Sequence, residues 1–93
     1  MKYRIEFARK AQKFFSKLPK NIQQQIGIKI DSLESNPRPH GCIQLQGKKD
    51  LYRIRSGDYR IIYTIKDNQL LVLVVQITTV GMSIEGNESA KDK

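Results

Sequence analysis

Leu51-Tyr52-Arg53-Ile54-Arg55-Ser56-Gly57-Asp58-Tyr59-Arg60-Ile61-Ile62-Tyr63 reads as a hairpin that reverses at Gly57-Asp58, where the glycine supplies the positive φ that a two-residue turn needs. A turn placed there opposes Ser56 to Tyr59, Arg55 to Arg60, Ile54 to Ile61, Arg53 to Ile62 and Tyr52 to Tyr63. Directly opposed residues share a face of the sheet. Tyr52, Ile54, Ile61, Tyr63 and Ile65 therefore make one apolar face, while Arg53, Arg55 and Arg60 gather on the other. Slipping the register by one residue would mix the two sets and abolish the apolar face.

Toward the C-terminus, Asp67-Asn68 reads as a second tight turn. Beyond it Leu70, Val72 and Val74 join the apolar face, and Leu71, Leu73 and Val75 join the basic one. A strand that is apolar on both sides belongs in the middle of a sheet covered on both faces. The chain turns polar after Val80, so Leu71, Leu73 and Val75 mark either a partner surface or a sheet twisting over itself.

Toward the N-terminus, Lys2 to Phe7 alternates with period two, placing Tyr3, Ile5 and Phe7 on one side of a strand. From Ala8 the period becomes helical: Ala8, Ala11, Phe14, Phe15 and Leu18 form a stripe with Arg9, Lys10, Lys13 and Lys17 between them. Pro19 breaks that helix, and Asn21 is suited to cap a second one with the stripe Ile22, Ile26, Ile30 and Leu33, stopping near Asn36-Pro37. Residues Pro37 to Lys49 read as a loop. The expected architecture is α+β: a strand, a helix hairpin and an antiparallel three-stranded meander. It occupies residues 1–80, with 81–93 a polar tail expected to be disordered.

Ninety-three residues suffice for one domain and leave little room for a deep, lidded cleft, so chemistry belongs on an open sheet face or shallow groove. Seventeen Lys+Arg against nine Asp+Glu give a net charge of +8, which points to an anionic partner, nucleic acid first, unless the charge only keeps the surface solvated. Cys42 stands alone and there is one histidine, so neither a disulfide framework nor a structural metal site is expected, and no cofactor. His40 lies in a Pro/Gly loop and is given no catalytic role. The N-terminus lacks a signal-peptide apolar run, and Leu70 to Val75 is too short to span a bilayer, so a soluble cytoplasmic protein without a membrane partner is expected.

The element order, together with Leu51 to Tyr63 and the preceding Leu45-Gln46-Gly47, resembles toxins of the RelE/ParE superfamily over residues 1–77. The resemblance implies the toxin of a type II toxin–antitoxin system. A toxin of the RelE branch enters the ribosomal A site and cleaves mRNA by attack of a ribose 2′-OH on the adjacent phosphate, without metal. The implied partners are the ribosome, its mRNA and a cognate RelB-like antitoxin covering the apolar and basic face, with Leu71, Leu73 and Val75 as its contacts. Arg53 and Arg55 fall where such toxins carry basic residues, often lysines, and Arg60 matches their phosphate-binding arginine. With a pKa above about 12, arginine is a poor general base, so Arg55 in place of lysine suits charge stabilisation. Lys48 and Lys49 are placed to hold the RNA backbone.

The C-terminus departs from the pattern. Active relatives follow the last strand with an arginine-bearing segment, often Gly-His-Arg-Arg, and then a tyrosine. Here the chain reads Gln76-Ile77-Thr78-Thr79-Val80-Gly81-Met82-Ser83-Ile84, and no Arg, Tyr or His follows Tyr63. A weakened toxin that still binds its antitoxin, a toxin using other groups, and a C-terminus altered in its gene all remain open. So does the ParE-branch alternative, a non-enzymatic inhibitor of DNA gyrase on the same fold.

Overall fold

A computed structural model describes residues 2–45, 47 and 50–79. Five strands form one sheet: β1 (Arg4–Phe7), β2 (Ile43–Gln44), β3 (Leu51–Ser56), β4 (Tyr59–Lys66) and β5 (Leu71–Thr79), in the spatial order β1-β5-β4-β3-β2. Helices α1 (Arg9–Ser16) and α2 (Lys20–Asp31) follow β1, and Ser32–Glu34 continues α2 as a 3₁₀ turn. Strand β1 pairs in parallel with β5, Arg4 opposite Leu71 and Phe7 opposite Val74; every other pairing is antiparallel. This makes β5 an interior strand along its first half, as its two-sided apolar sequence required.

The β3–β4 hairpin has the register read from its residues, from Ser56 opposite Tyr59 to Tyr52 opposite Tyr63. Its Gly57 has φ +59°, and a Cβ there would run into the Gln25 side chain of α2. Gly57→Ala is expected to cost about 1–2 kcal/mol, because the left-handed backbone disfavours a Cβ, whereas the Gln25 amide it would meet is the end of an exposed side chain and can swing aside. Urea unfolding would show this as a lower midpoint at unchanged slope; an unshifted midpoint would mean that the turn relaxes freely.

Both helices lie on one face of the sheet. Ala11 of α1, Ile26 and Ile30 of α2, and Leu33 pack with Ile54, Ile61, Tyr63, Ile65, Val72, Val74 and Ile77 in a single core. Tyr63 is at its centre: fully buried, it stacks on Tyr52 at 5.9 Å and donates its hydroxyl to the Pro37 carbonyl at 2.7 Å. Burial pushes that hydroxyl's pKa up, with Cys42 adding to the shift, so it remains a donor where an ordinary tyrosine would ionise.

Four local expectations are corrected. Asn21 lies inside α2, and Pro19 is the residue that opens the helix: its carbonyl accepts from Ile22 and Gln23 at 3.0 and 2.9 Å, and it has no N–H of its own to satisfy. The segment 37–49 is not all loop, since Ile43 and Gln44 pair with Arg53 and Tyr52, a strand too short to show a period in sequence. The second hairpin does not turn on Asp67-Asn68 alone. A 3₁₀ turn over Asp67–Gln69 ends on Leu70 with φ 50°, so Leu70 belongs to the turn and β5 starts at Leu71. Finally, a bulge interrupts the β4–β5 ladder: Tyr63 faces Val74 but Ile62 faces Gln76, leaving Val75 as the extra residue. Alternation resets there and returns Ile77 to the core beside Ile61.

Candidate nucleic-acid interface

Strand pleating sends Arg53, Arg55 and Arg60 to the face opposite the helices. Arg55 and Arg60 are direct cross-strand partners, and Arg53, opposite Ile62, lies two residues along β3 from Arg55. Arg55 is exposed, whereas Arg53 and Arg60 are half-buried. Among the described residues, ion pairs join Arg4 to Glu6 and Arg38 to Asp67, and neither reaches these three arginines. Directly opposed like charges repel, so the face is poised to take up an anion.

The bulge adds a residue that pattern reading missed. It sets Thr78 of β5 opposite Arg60, so Arg55, Arg60 and Thr78 form a row across three strands. Thr78 is 7% exposed, and its Oγ1, like the Nε of Arg60, is a buried polar atom without a hydrogen-bond partner among the described residues. Guanidinium nitrogens only donate, so Arg60 requires an acceptor, and a buried polar group left unpaired costs about 1–3 kcal/mol. Two such atoms on adjacent strands of a cationic face suit an oxyanion. Nothing in the alternation of β5 signalled Thr78, because the bulge that aims it appears only in the paired sheet.

Of the other residues singled out, Lys48 and Lys49 lie outside the described residues, as does the segment 81–93. Leu71 and Leu73 do lie on the arginine face, but Leu71 keeps only 7% exposure, flanked across the ladders by Arg4 and Lys66, whose long stems share its face. Leu73 and Val75 are half-buried, and Val75 sits in the bulge. His40 lines a cavity of about 190 Å³ together with Lys29 and Arg55 at the β3 edge, a proximity hidden by its place in the sequence. Among the described residues no three His, Cys, Asp or Glu side chains come together as metal ligands, and no helix is long and apolar enough to cross a membrane.

A second polar cluster is structural. Arg38 grips Asp67 with two bonds of 3.2 and 2.8 Å, reaches the Tyr52 hydroxyl at 3.3 Å and lies over that ring, while Tyr3 donates to Asp67 at 2.7 Å. These contacts tie the segment after α2 to the β4–β5 turn and the start of β1. Arg38, and after it Tyr3, hold the Asp67 carboxyl down at about 2, from an ordinary 3.8. A depressed carboxylate pKa contributes stability that is present above the unfolded value and lost as pH falls through the folded one. Wild type is therefore expected to lose stability from Asp67 between pH 3.8 and about 2, and Asp67→Asn to lack that part of the acid profile. Acid unfolding of both proteins checks this; superimposable profiles would show that the exposed pair contributes nothing.

A single sheet with both helices on one face and, on the other, three arginines without an ion-pair partner among the described residues defines a small α+β domain with an open cationic face. Residues 5–83 match the family described as the ParE toxin of the type II toxin–antitoxin system parDE. The mRNA interferase toxin RelE of Escherichia coli K12 is 30% identical over 79 residues, 83% of this chain and 82% of that protein. A RelE-like toxin protein of Escherichia coli is 37% identical over the same shares. Among solved structures, the archaeal RelE–RelB complex from Pyrococcus horikoshii contains a chain with a TM-score of 0.77 and 31% identity, covering 89% of this chain and 100% of that one. The protein belongs to the RelE/ParE superfamily of type II toxin–antitoxin toxins, on its RelE branch.

Proposed function

We propose that the chain inhibits translation by cleaving mRNA at the ribosome, in the cytoplasm, and is held in check by a cognate RelB-like antitoxin. The observation that carries this reading is the row of arginines on the helix-free face, with the Nε of Arg60 lacking an acceptor among the described residues. In the reaction, the ribose 2′-oxygen bonds to phosphorus as its proton leaves, the bond from phosphorus to the 5′-oxygen breaks, and that oxygen takes up a proton. The products are a 2′,3′-cyclic phosphate and a free 5′-hydroxyl. Arg53, Arg55 and Arg60 would stabilise the charge that grows on the phosphoryl oxygens, which needs fixed donors and no titration. The two proton transfers fall to other groups, because an arginine stays charged throughout.

Similarity to mRNA interferase toxin RelE supports the enzymatic reading, and similarity to toxins solved with RelB supports the antitoxin. The ParE-family match, combined with the absence of Arg, Tyr and His after Tyr63, favours gyrase inhibition as the second reading. Translation of a defined mRNA in a purified system, with and without ribosomes, separates them. Ribosome-dependent cuts mapped by primer extension are the expected result. Intact mRNA alongside blocked supercoiling by gyrase would establish the second reading instead.

A further inference from the structure

The strongest feature outside the arginine row is a groove of about 670 Å³ between α1 and the outer edge of β5. It exists because β1 stops short. Phe7 is the last β1 residue paired with β5, opposite Val74, and Ala8 N–H closes the ladder on the Val74 carbonyl at 2.8 Å. Past that point β5 continues to Thr79 with no strand on that edge among the described residues. One wall of the groove is α1, which contributes Arg9, Lys10, Lys13 and Lys17 around Phe14, and the opposite wall includes Gln76 and Thr78. Among the described residues no carboxylate lines it, and none of the four cations has an ion-pair partner.

Two features connect the groove to the arginine row. Thr78 belongs to both: it lines the groove, and it stands opposite Arg60 with its own Oγ1 buried and unpartnered. Arg9, Lys13 and Lys17 follow one another at intervals of four, which places them along one side of the helix with a rise of about 6 Å per step. That is the scale on which successive phosphates of an extended single strand recur. An acidic peptide would satisfy the same charges, but the regular spacing of the cations, in a groove that shares Thr78 with the arginine row, favours a sugar–phosphate backbone.

We propose that this groove is a second nucleic-acid subsite, in which single-stranded RNA flanking the phosphate at Arg60 runs over Thr78 and along α1, its phosphates held by Arg9, Lys13 and Lys17. The inference rests on the RNA reading of the arginine row and extends it. It also supplies positive charge on the β5 side of Arg60 in a chain whose sequence has no arginine after Arg60.

The test measures binding of a short fluorescently labelled single-stranded RNA to the full chain by anisotropy over a range of salt concentrations. Lys13 and Lys17 are exposed, so replacing both leaves the core untouched. Each phosphate contact contributes about 0.7 to the slope of log K against log salt for a single strand, so Lys13→Ala/Lys17→Ala is expected to flatten that slope by about 1.4. Thr78→Val should weaken binding several-fold at unchanged slope, because a hydroxyl carries no charge, and Thr78→Ser should restore it. If the double variant keeps the wild-type slope while Arg60→Ala weakens binding, the groove is off the RNA path although the RNA reading stands. If wild type binds no RNA, that reading and the subsite fall together. Binding of a glutamate-rich peptide in its place, weakened by the double variant, would overturn the proposal in favour of an acidic protein partner.

Discussion

Arg60→Ala is expected to lower ribosome-dependent mRNA cleavage by about 10²–10³-fold, the effect of removing one preorganised donor from a site of developing charge. Growth inhibition by the expressed protein should disappear with it. The fold should not suffer. Among the described residues Arg60 Nε has no hydrogen-bond partner, and its neighbour across β3 is Arg55, so truncation removes an unmade bond and a like-charge contact. The variant should therefore unfold at the same or a higher urea concentration than wild type. That pairing, activity lost and stability kept or gained, is what a residue held in place for its ligand predicts. Arg60→Lys should fall between the two, keeping the charge but losing the planar fork. Cleavage by Arg60→Ala at the wild-type rate would remove the phosphate from this part of the face. A lost activity accompanied by a lowered midpoint would make the residue structural.

Tyr63→Ala is expected to cost about 3–5 kcal/mol, the range for deleting a large aromatic side chain from a packed core. Domains are stable by about 5–15 kcal/mol in total, so this single change should remove about a third or more of the stability of a domain in the lower half of that range. Its ring is fully buried between the helices and the sheet, and the cavity has little means to close because Ile61, Ile65, Val72 and Val74 are fixed by strand pairing around it. Tyr63→Phe isolates the hydroxyl. It keeps the ring stacked on Tyr52 but strips the Pro37 carbonyl of its 2.7 Å donor, for an expected loss of about 1–2 kcal/mol. Chemical denaturation of both variants checks the ordering. Equal losses would mean that the tie to Pro37, rather than the ring's packing, holds this end of the core.

The hairpin was legible because its information is local: a glycine where positive φ is needed, and two residue sets that only one register keeps apart. That register places Arg53, Arg55 and Arg60 on one face, and β3 and β4 have it. Helices α1 and α2 were legible for a similar reason, since Ala11, Ile26, Ile30 and Leu33 recur at helical spacing and all four enter the core. What the sequence by itself determined, then, is every element whose residues repeat with a period, and the side of it that must be buried.

The tertiary structure decided the rest. The two-residue strand β2 has no period to read, and it forms because β3 offers an edge to pair with. The parallel docking of β1 on β5 joins residues some 67 positions apart in the chain, Arg4 with Leu71, and beyond Val74 leaves the α1-side edge of β5 without a strand among the described residues. The bulge at Val75 reconciles two ladders that strict alternation cannot serve together, and in doing so it turns Thr78 toward Arg60. A period of two states which residues share a face of one strand. Which strand lies next to it, where pairing skips a residue and which edge stays open depend on how the whole sheet closes over its helices, and the groove along α1 with its link to Arg60 exists only at that level.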